Sequence, residues 1–300
     1  MAPGGNRRTP WLFLSPALFL LLAFFVWPTL QTMWWSLHGG TGLVPTEYVG
    51  LENYTRLLTG DRLFLRLDRW PPSGALVNTV LWLVLFPALT TTLGMLIAVL
   101  ADGVRYEKTV KAIIFLPMVI SATAASVIFR FVYSPDPTIG AANAALTSLI
   151  PGFEPVPWLG RGSVVNFAII AAAVWIWCGL AMTVFSAAYK SLSQEVLEAA
   201  RVDGAGPWQT FWRISLPMLA RPVTFIVIAM LINALKMLDL VLVMTAGGPR
   251  GASRIIGFSV YWEVFNNSRA GYGSAIAILM LLLLIPVILI QIHRIRAEER

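Results

Sequence analysis

Glu198-Ala-Ala-Arg-Val-Asp203-Gly204-Ala-Gly-Pro207-Trp-Gln-Thr-Phe211-Trp-Arg-Ile214-Ser-Leu216-Pro217 is the longest polar-containing segment with a clear local design, and it lies between two apolar runs. Ser191 and Gln194 stand at capping-box spacing just before it, which predicts a helix from Leu192. Leu192, Val196 and Ala199 then share one face, with Glu195, Glu198 and Arg201 off it. Asp203-Gly204 reads as a helix stop, because glycine enters the left-handed region without a Cβ clash. Pro207 suits the first turn of a second short helix. Trp208, Phe211, Trp212 and Ser215 recur at helical spacing as an aromatic stripe, and Pro217 is expected to close the unit. The expectation is two short helices around a glycine hinge.

The flanking composition places this unit beside a membrane. Of 300 residues, 57% are hydrophobic and 12% charged, where soluble domains carry about 25% charge. Six apolar runs can each cross about 30 Å of hydrocarbon: Trp11–Leu37, Ala75–Leu100, Ala112–Tyr133, Val164–Tyr189, Val223–Thr245 and Tyr272–Ile292. The expected fold is all-α and integral to the membrane, with six transmembrane helices over residues 11–292 and short tails at 1–10 and 293–300. The first run is too long for the core of a cleaved signal peptide.

Basic residues set the orientation. One side of the membrane holds those at 7, 8, 105, 108, 111, 190, 201, 213, 221, 294, 296 and 300. The other holds the smaller set at 56, 62, 66, 69, 161, 250, 254 and 269. The richer side is cytoplasmic by the positive-inside rule, so both termini and the 190–221 loop are expected there. The net charge of +7 is read as basic cytoplasmic loops beside membrane lipid, not as nucleic-acid binding. The outer segments 38–74 and 134–162 mix charge with proline and read as structured. Cys178 alone excludes an intramolecular disulfide and a cysteine metal cluster. His38 and His293 fall on opposite sides, so no metal site is expected.

The opening stretch resembles the EAA loop of the permease subunits of ATP-binding-cassette importers. Glu198, Ala199, Ala200, Gly204, Ile214, Leu216 and Pro217 meet that pattern, with Asp203 and Ala205 also in place. The resemblance implies the type I importer permease fold and a loop that docks in a cleft of an ATPase and passes its motion to the spans. It further implies a second permease subunit, two ATPase subunits that bind ATP and magnesium, and an extracytoplasmic solute-binding protein, all at a bacterial or archaeal cytoplasmic membrane. Thr245-Ala-Gly247-Gly248-Pro249 and the glycine-led last span from Gly271 are similar to sugar permeases of the maltose and glycerol-phosphate type. Ile114-Phe-Leu-Pro-Met-Val-Ile and Leu235-Lys-Met-Leu-Asp239 look most like the α-glucoside branch. Import of another solute, such as glycerol 3-phosphate, stays open.

The residues agree that ATP is not bound on this chain. None of the four lysines, at 108, 111, 190 and 236, follows a glycine, so there is no Gly-Lys-Ser/Thr phosphate loop. A membrane enzyme such as a lipid-linked glycosyltransferase is the alternative class, and it needs converging carboxylates or a metal. Asp61 with Asp68 and Glu298 with Glu299 are the nearest acidic groupings, and they read as solvated charges, so no catalytic residue is assigned. An ion-coupled carrier would show internal repeats and intramembrane acids, and no convincing repeat is present. Sugars need hydrogen-bonding side chains and aromatic faces, which makes Trp175, Trp177, Asn233 and Asn78 pathway candidates. Lys236 and Asp239 stand at i, i+3 inside the fifth run and are expected to meet on one helix face, directed to the interior.

Overall fold

The structure is a computed structural model that describes residues 9–68 and 71–298. The basic residues Arg7, Arg8, Arg69 and Arg300, with Trp70, lie outside the described residues. Helix α1 (Thr9–Leu21) continues through a π-turn at Leu22–Val26 into α2 (Trp27–Ser36). A two-residue hairpin pairs β1 (His38–Gly39) with β2 (Glu47–Tyr48), and α3 (Glu52–Thr55) follows. Then come α4 (Ala75–Leu100), α5 (Glu107–Phe115), a 3-10 turn at Leu116–Val119, α6 (Ala122–Val132), α7 (Ala141–Leu149) and α8 (Val165–Lys190). The second half holds α9 (Gln194–Val202), α10 (Pro207–Thr210), a π-turn at Phe211–Ser215, α11 (Leu216–Met218) and α12 (Ala220–Lys236). It ends with α13 (Leu238–Thr245), α14 (Ile256–Tyr261) and α15 (Ala270–Glu298).

Packing divides the chain into two units, Met1–Asp61 with Ser259–Leu283, and Arg62–Phe258 with Leu284–Arg300. The larger unit is built on α4 against α8. Each has 26 residues, or about 39 Å of helix. Lipid tails are as apolar as leucine, so such helices associate by close packing of small residues rather than by escape from water. Ala168, Ala172, Ala173 and Ala181 on α8 are buried. Gly94 on α4 faces that stripe, where a Cβ would stand 2.5 Å from the Ala181 Cβ and 2.9 Å from the Met182 nitrogen. Trp82 and Phe86 on α4 and Phe185 on α8 are fully buried. In the smaller unit, Asn53 Nδ2 donates to the Ser36 and His38 carbonyls, each at 2.9 Å. The Tyr54 hydroxyl donates to Ser36 Oγ and the Tyr272 hydroxyl to Asp61 Oδ2. The 38–74 segment is thus ordered, as expected, at least through its first half.

All six apolar runs are helical, but they are not six single helices. Phe13–Ser36, Ala75–Leu100 and Val165–Lys190 are each long and apolar enough to cross a membrane. The run Ala112–Tyr133 instead bends by 104° between Glu107–Val119 and Ala122–Val132. Pro117 has no N–H to continue the helix, Ile120 goes extended (φ −78°, ψ 136°), and Ser121 restarts the chain by accepting from Ala124 N–H. The run Val223–Thr245 breaks at Met237 (φ −73°, ψ 45°). The last run lies on α15, whose apolar stretch is Ala270–Pro286.

Candidate functional site

The 190–221 loop folds as two helical pieces about Gly204. Helix α9 ends in a Schellman motif: Ala205 N–H donates to Ala200 O at 2.9 Å, and Gly204 N–H to Arg201 O at 3.1 Å. Gly204 has φ +80°, the left-handed value expected of the helix stop, and the space beside it is open. The restriction at this residue is therefore conformational, not steric. Gly206 then caps α10, its N–H reaching Gln209 Oε1 at 3.4 Å, with Pro207 in the first turn as expected.

Three local expectations are corrected. Helix α9 begins at Gln194, not Leu192. The Ser191 hydroxyl turns back to the Ala188 carbonyl at 2.8 Å, so it serves the end of α8 instead of the start of α9. The buried residues of α9 are Leu197 and Ala200, both 6% exposed, while Val196 and Ala199 face out. Leu192 lies before the helix, so it does not mark the helix's apolar face, which Leu197 and Ala200 define at i and i+3. Pro217 does not close the unit either. It sits in the first turn of α11, where its missing N–H costs little, and the chain turns at Leu219, with a 68° bend between Pro207–Met218 and Ala220–Lys236.

The exposed surface of the loop is unusual in its mixture. Glu195, Glu198, Arg201 and Asp203 are exposed beside Val202 (87%), Trp208 (73%) and Trp212 (49%). Trp208 and Trp212 stack edge to face at 5.5 Å, and Phe211 lies edge-on to Trp212 at 5.4 Å. Of the remaining motif residues, Pro217 and Ala199 are exposed, and Ala205, Ile214 and Leu216 are half-buried. Large rigid aromatics with charges between them are the composition of a contact surface, since they give area at little entropic cost.

The pathway candidates do not converge on one point. Asn78 is taken up by bonds within the protein. Its Nδ2 donates to the carbonyls of Ala252 (2.9 Å) and Arg254 (2.7 Å), and its Oδ1 accepts from Asn166 Nδ2 at 3.1 Å. With Thr79, whose hydroxyl accepts from Ile256 N–H, it fastens the 247–256 loop to α4 and α8. Asn233 Nδ2 donates to the Ala229 carbonyl at 2.9 Å and is half-buried. Lys236 and Asp239 do not share a helix face. The break at Met237 separates them, both are exposed, and no ion pair joins them. Trp177 is half-buried on α8. Trp175, 38% exposed, lies edge-on to Phe129 at 5.3 Å. Phe129 in turn meets Tyr133 at 5.3 Å, and Tyr133 meets Trp158 at 6.0 Å. The sequence reading missed this chain of rings because Trp158 and Trp175 reach Phe129 and Tyr133 of the α6 end from other parts of the sequence. It also missed a charge cluster at the α4–α5 turn, although Glu107 and Lys111 stand at i, i+4 in plain view.

Residues 90–295 match the family described as "Binding-protein-dependent transport system inner membrane component". The osmoprotective compounds uptake permease protein GgtC of Synechocystis sp. is 43% identical, covering 96% of this chain and 99% of that protein. The α-glucoside transport system permease protein AglF of Rhizobium meliloti is 34% identical, covering 98% of this chain and 84% of that one. Among solved structures, a bacterial transporter importing the acidic polysaccharide alginate has a chain that superposes with a TM-score of 0.78 at 21% identity, covering 96% of this chain and 94% of its own.

Proposed function

The chain belongs to the family of binding-protein-dependent transport system inner membrane components, and from that premise we propose how it works as the permease subunit of an ATP-binding-cassette importer. It is a transport subunit, not an enzyme. Paired with a second permease, it forms half of the pathway for a neutral, hydroxyl-rich solute. The names of two relatives, one for α-glucosides and one for osmoprotective compounds, support a small glucoside or a glucoside-like osmoprotectant. A solute-binding protein delivers that solute from outside. Two ATPase subunits bind ATP and magnesium on the cytoplasmic side, where both termini also lie.

The observation that carries this reading is the exposed, aromatic and charged face of the Glu198–Pro217 unit, held in shape by its own capping bonds. Glu198 meets a basic residue of the ATPase, Trp208 and Trp212 fill its cleft, and Gly204 keeps α9 and α10 at the angle that docking needs. Hydrolysis on the ATPase pulls this unit, and the spans that continue from it move with it. Along the pathway, Trp175 offers an aromatic face to the sugar ring, while Trp177, Asn233, Lys236 and Asp239 stay as further contacts to test.

The test is purification of the importer from its native membrane through a tag on this chain. Glu198→Lys sets like charges together at the docking surface. The ATPase should co-purify with the wild type and be largely lost from the variant, and uptake of labelled α-glucosides should fall with it. A variant that keeps both ATPase and uptake would contradict the docking role. Comparing uptake of α-glucosides with that of glycerol phosphates assigns the solute class.

A further inference from the structure

The charge cluster that the sequence reading missed lies where the coupling loop is rooted. Glu107 opens α5, and its Oε2 accepts from Gly103 N–H at 3.4 Å, closing the α4–α5 turn. One helical turn on, Lys111 donates to Glu107 Oε1 and to Ser186 Oγ of α8. Lys190, the last residue of α8, lies 2.5 Å from the same Glu107 oxygen and 4.0 Å from Asp102. The Glu107 and Lys111 side chains are only 19% and 20% exposed. Ser186 and Lys190 are one turn apart on α8, so a single carboxylate fastens α5 to one stripe of that helix.

A second contact fixes the other end of α5. A Cβ at Gly179 of α8 would lie 2.5 Å from the Ile114 carbonyl oxygen and 2.8 Å from the Phe115 Cα. The two helices are therefore in backbone contact there and ion-paired at the foot. Beyond Phe115 the chain enters the 3-10 turn and the 104° bend into α6. Beyond Lys190 it enters the coupling loop after Ser191.

We propose that Glu107 is a positioning residue for transport: it binds α5 to the cytoplasmic end of α8, so that a displacement of the coupling loop reaches the bend before α6. Without this link, α5 is held to α8 by the contact at Gly179, far from the loop, and its foot is free to lag behind Lys190. Two arrangements of a rigid pair about one bend are what a coupling path physically requires. The inference rests on the docking role given above to the 190–221 loop.

The experiment uses the assembled importer in proteoliposomes and reads solute moved per ATP hydrolysed. Glu107→Gln keeps the shape and removes the charge. The importer should assemble and hydrolyse ATP, while the transport ratio falls about fivefold or more. The pair Glu107→Gln with Lys111→Gln also removes the more buried of the two ammoniums that lose this carboxylate, while Lys190 keeps Asp102 at 4.0 Å. If the cluster only offsets buried charge, the pair restores the ratio, which overturns the proposal; a ratio that stays low supports it. Should the single variant fail to assemble, the double variant is read alone by the same criterion. Glu198→Lys, run beside them, separates the two claims. Loss of the ATPase in Glu198→Lys with a wild-type ratio in Glu107→Gln overturns the positioning role and leaves docking intact. Retention of ATPase and uptake in Glu198→Lys overturns both.

Discussion

Residues 134–162 and residues 190–221 both connect membrane helices, and both hold short helices, aromatic residues and charges, yet they are finished in opposite ways. The first closes on itself. Asn143 is fully buried and spends its whole amide internally: Nδ2 donates to Ser134 O (2.8 Å) and Val156 O (3.0 Å), and Oδ1 accepts from Val156 N–H (3.0 Å) and Trp158 Nε1–H (3.1 Å). The second satisfies its backbone through caps and leaves its largest side chains outside. A loop with its polar centre buried keeps its shape without a neighbour, even with Leu149 (76%) and Ile139 (58%) exposed on it. A loop that exposes tryptophans around a capped hinge is built for one. The contrast separates residues that hold the fold from residues that serve assembly, and mutations should divide along that line.

The largest stability effect is expected in the closed loop. Asn143→Ala strands two carbonyls, one N–H and the indole of Trp158, and should cost about 3 kcal/mol. Thermal unfolding of the detergent-purified chain would read it, and an unchanged melting temperature would deny the loop its centre. Gly204→Val is the counterpart in the open loop. A β-branched residue at φ +80° costs about 1–3 kcal/mol, while uptake should drop about tenfold or more. Melting should shift no more than for Asn143→Ala, so the loss of uptake is out of proportion to the loss of stability. A large loss of melting temperature with normal uptake would erase the distinction.

What the sequence revealed follows the same divide. Gly204 was legible because one residue and its neighbours carry the whole Schellman signal. The Asn78 staple was not, because its partners, Ala252 and Arg254, lie 174 and 176 residues away. The bend after Pro117 had a visible proline, but proline also sits inside α1, α4 and α15 without ending them. The break at Met237 has no proline or glycine at all, so an apolar run reads through it. The start of α9 was placed two residues early because Ser191 has two possible partners and takes the earlier one. The six runs themselves were plain, since their length and composition answer directly to the thickness of the bilayer.

The Met237 break yields a smaller effect. With Lys236 and Asp239 unpaired and exposed, Lys236→Met and Asp239→Leu should act independently. Their combined effect on uptake or stability should be additive within about 0.5 kcal/mol. A coupling clearly above that would restore the pair that the broken helix denies.

The smallest effect belongs to the rim of the closed loop. Thr138 N–H (2.9 Å) and Thr138 Oγ1 (2.8 Å) donate to Asp136 Oδ1, and these bonds hold the Asp136 carboxyl below its ordinary value of 3.8. A lowered folded value means that the stabilisation is complete above 3.8 and fades as pH falls through the folded value. Wild type should therefore lose slightly more melting temperature on acidification below that range than Asp136→Asn does. Identical acid profiles would show that the capping bonds contribute nothing.

The central claim is that the exposed face of residues 190–221 is covered by an ATPase on the cytoplasmic side. With Cys178 replaced by alanine, Val202→Cys puts a thiol at the most exposed apolar position of that face. Labelling by a membrane-impermeant maleimide is then compared for the isolated chain and the assembled importer, in inside-out vesicles and in intact cells. The account predicts rapid labelling of the isolated chain, strong protection in the assembled importer, and no labelling from outside intact cells. Equal labelling with and without the ATPase, or labelling from outside, would contradict it.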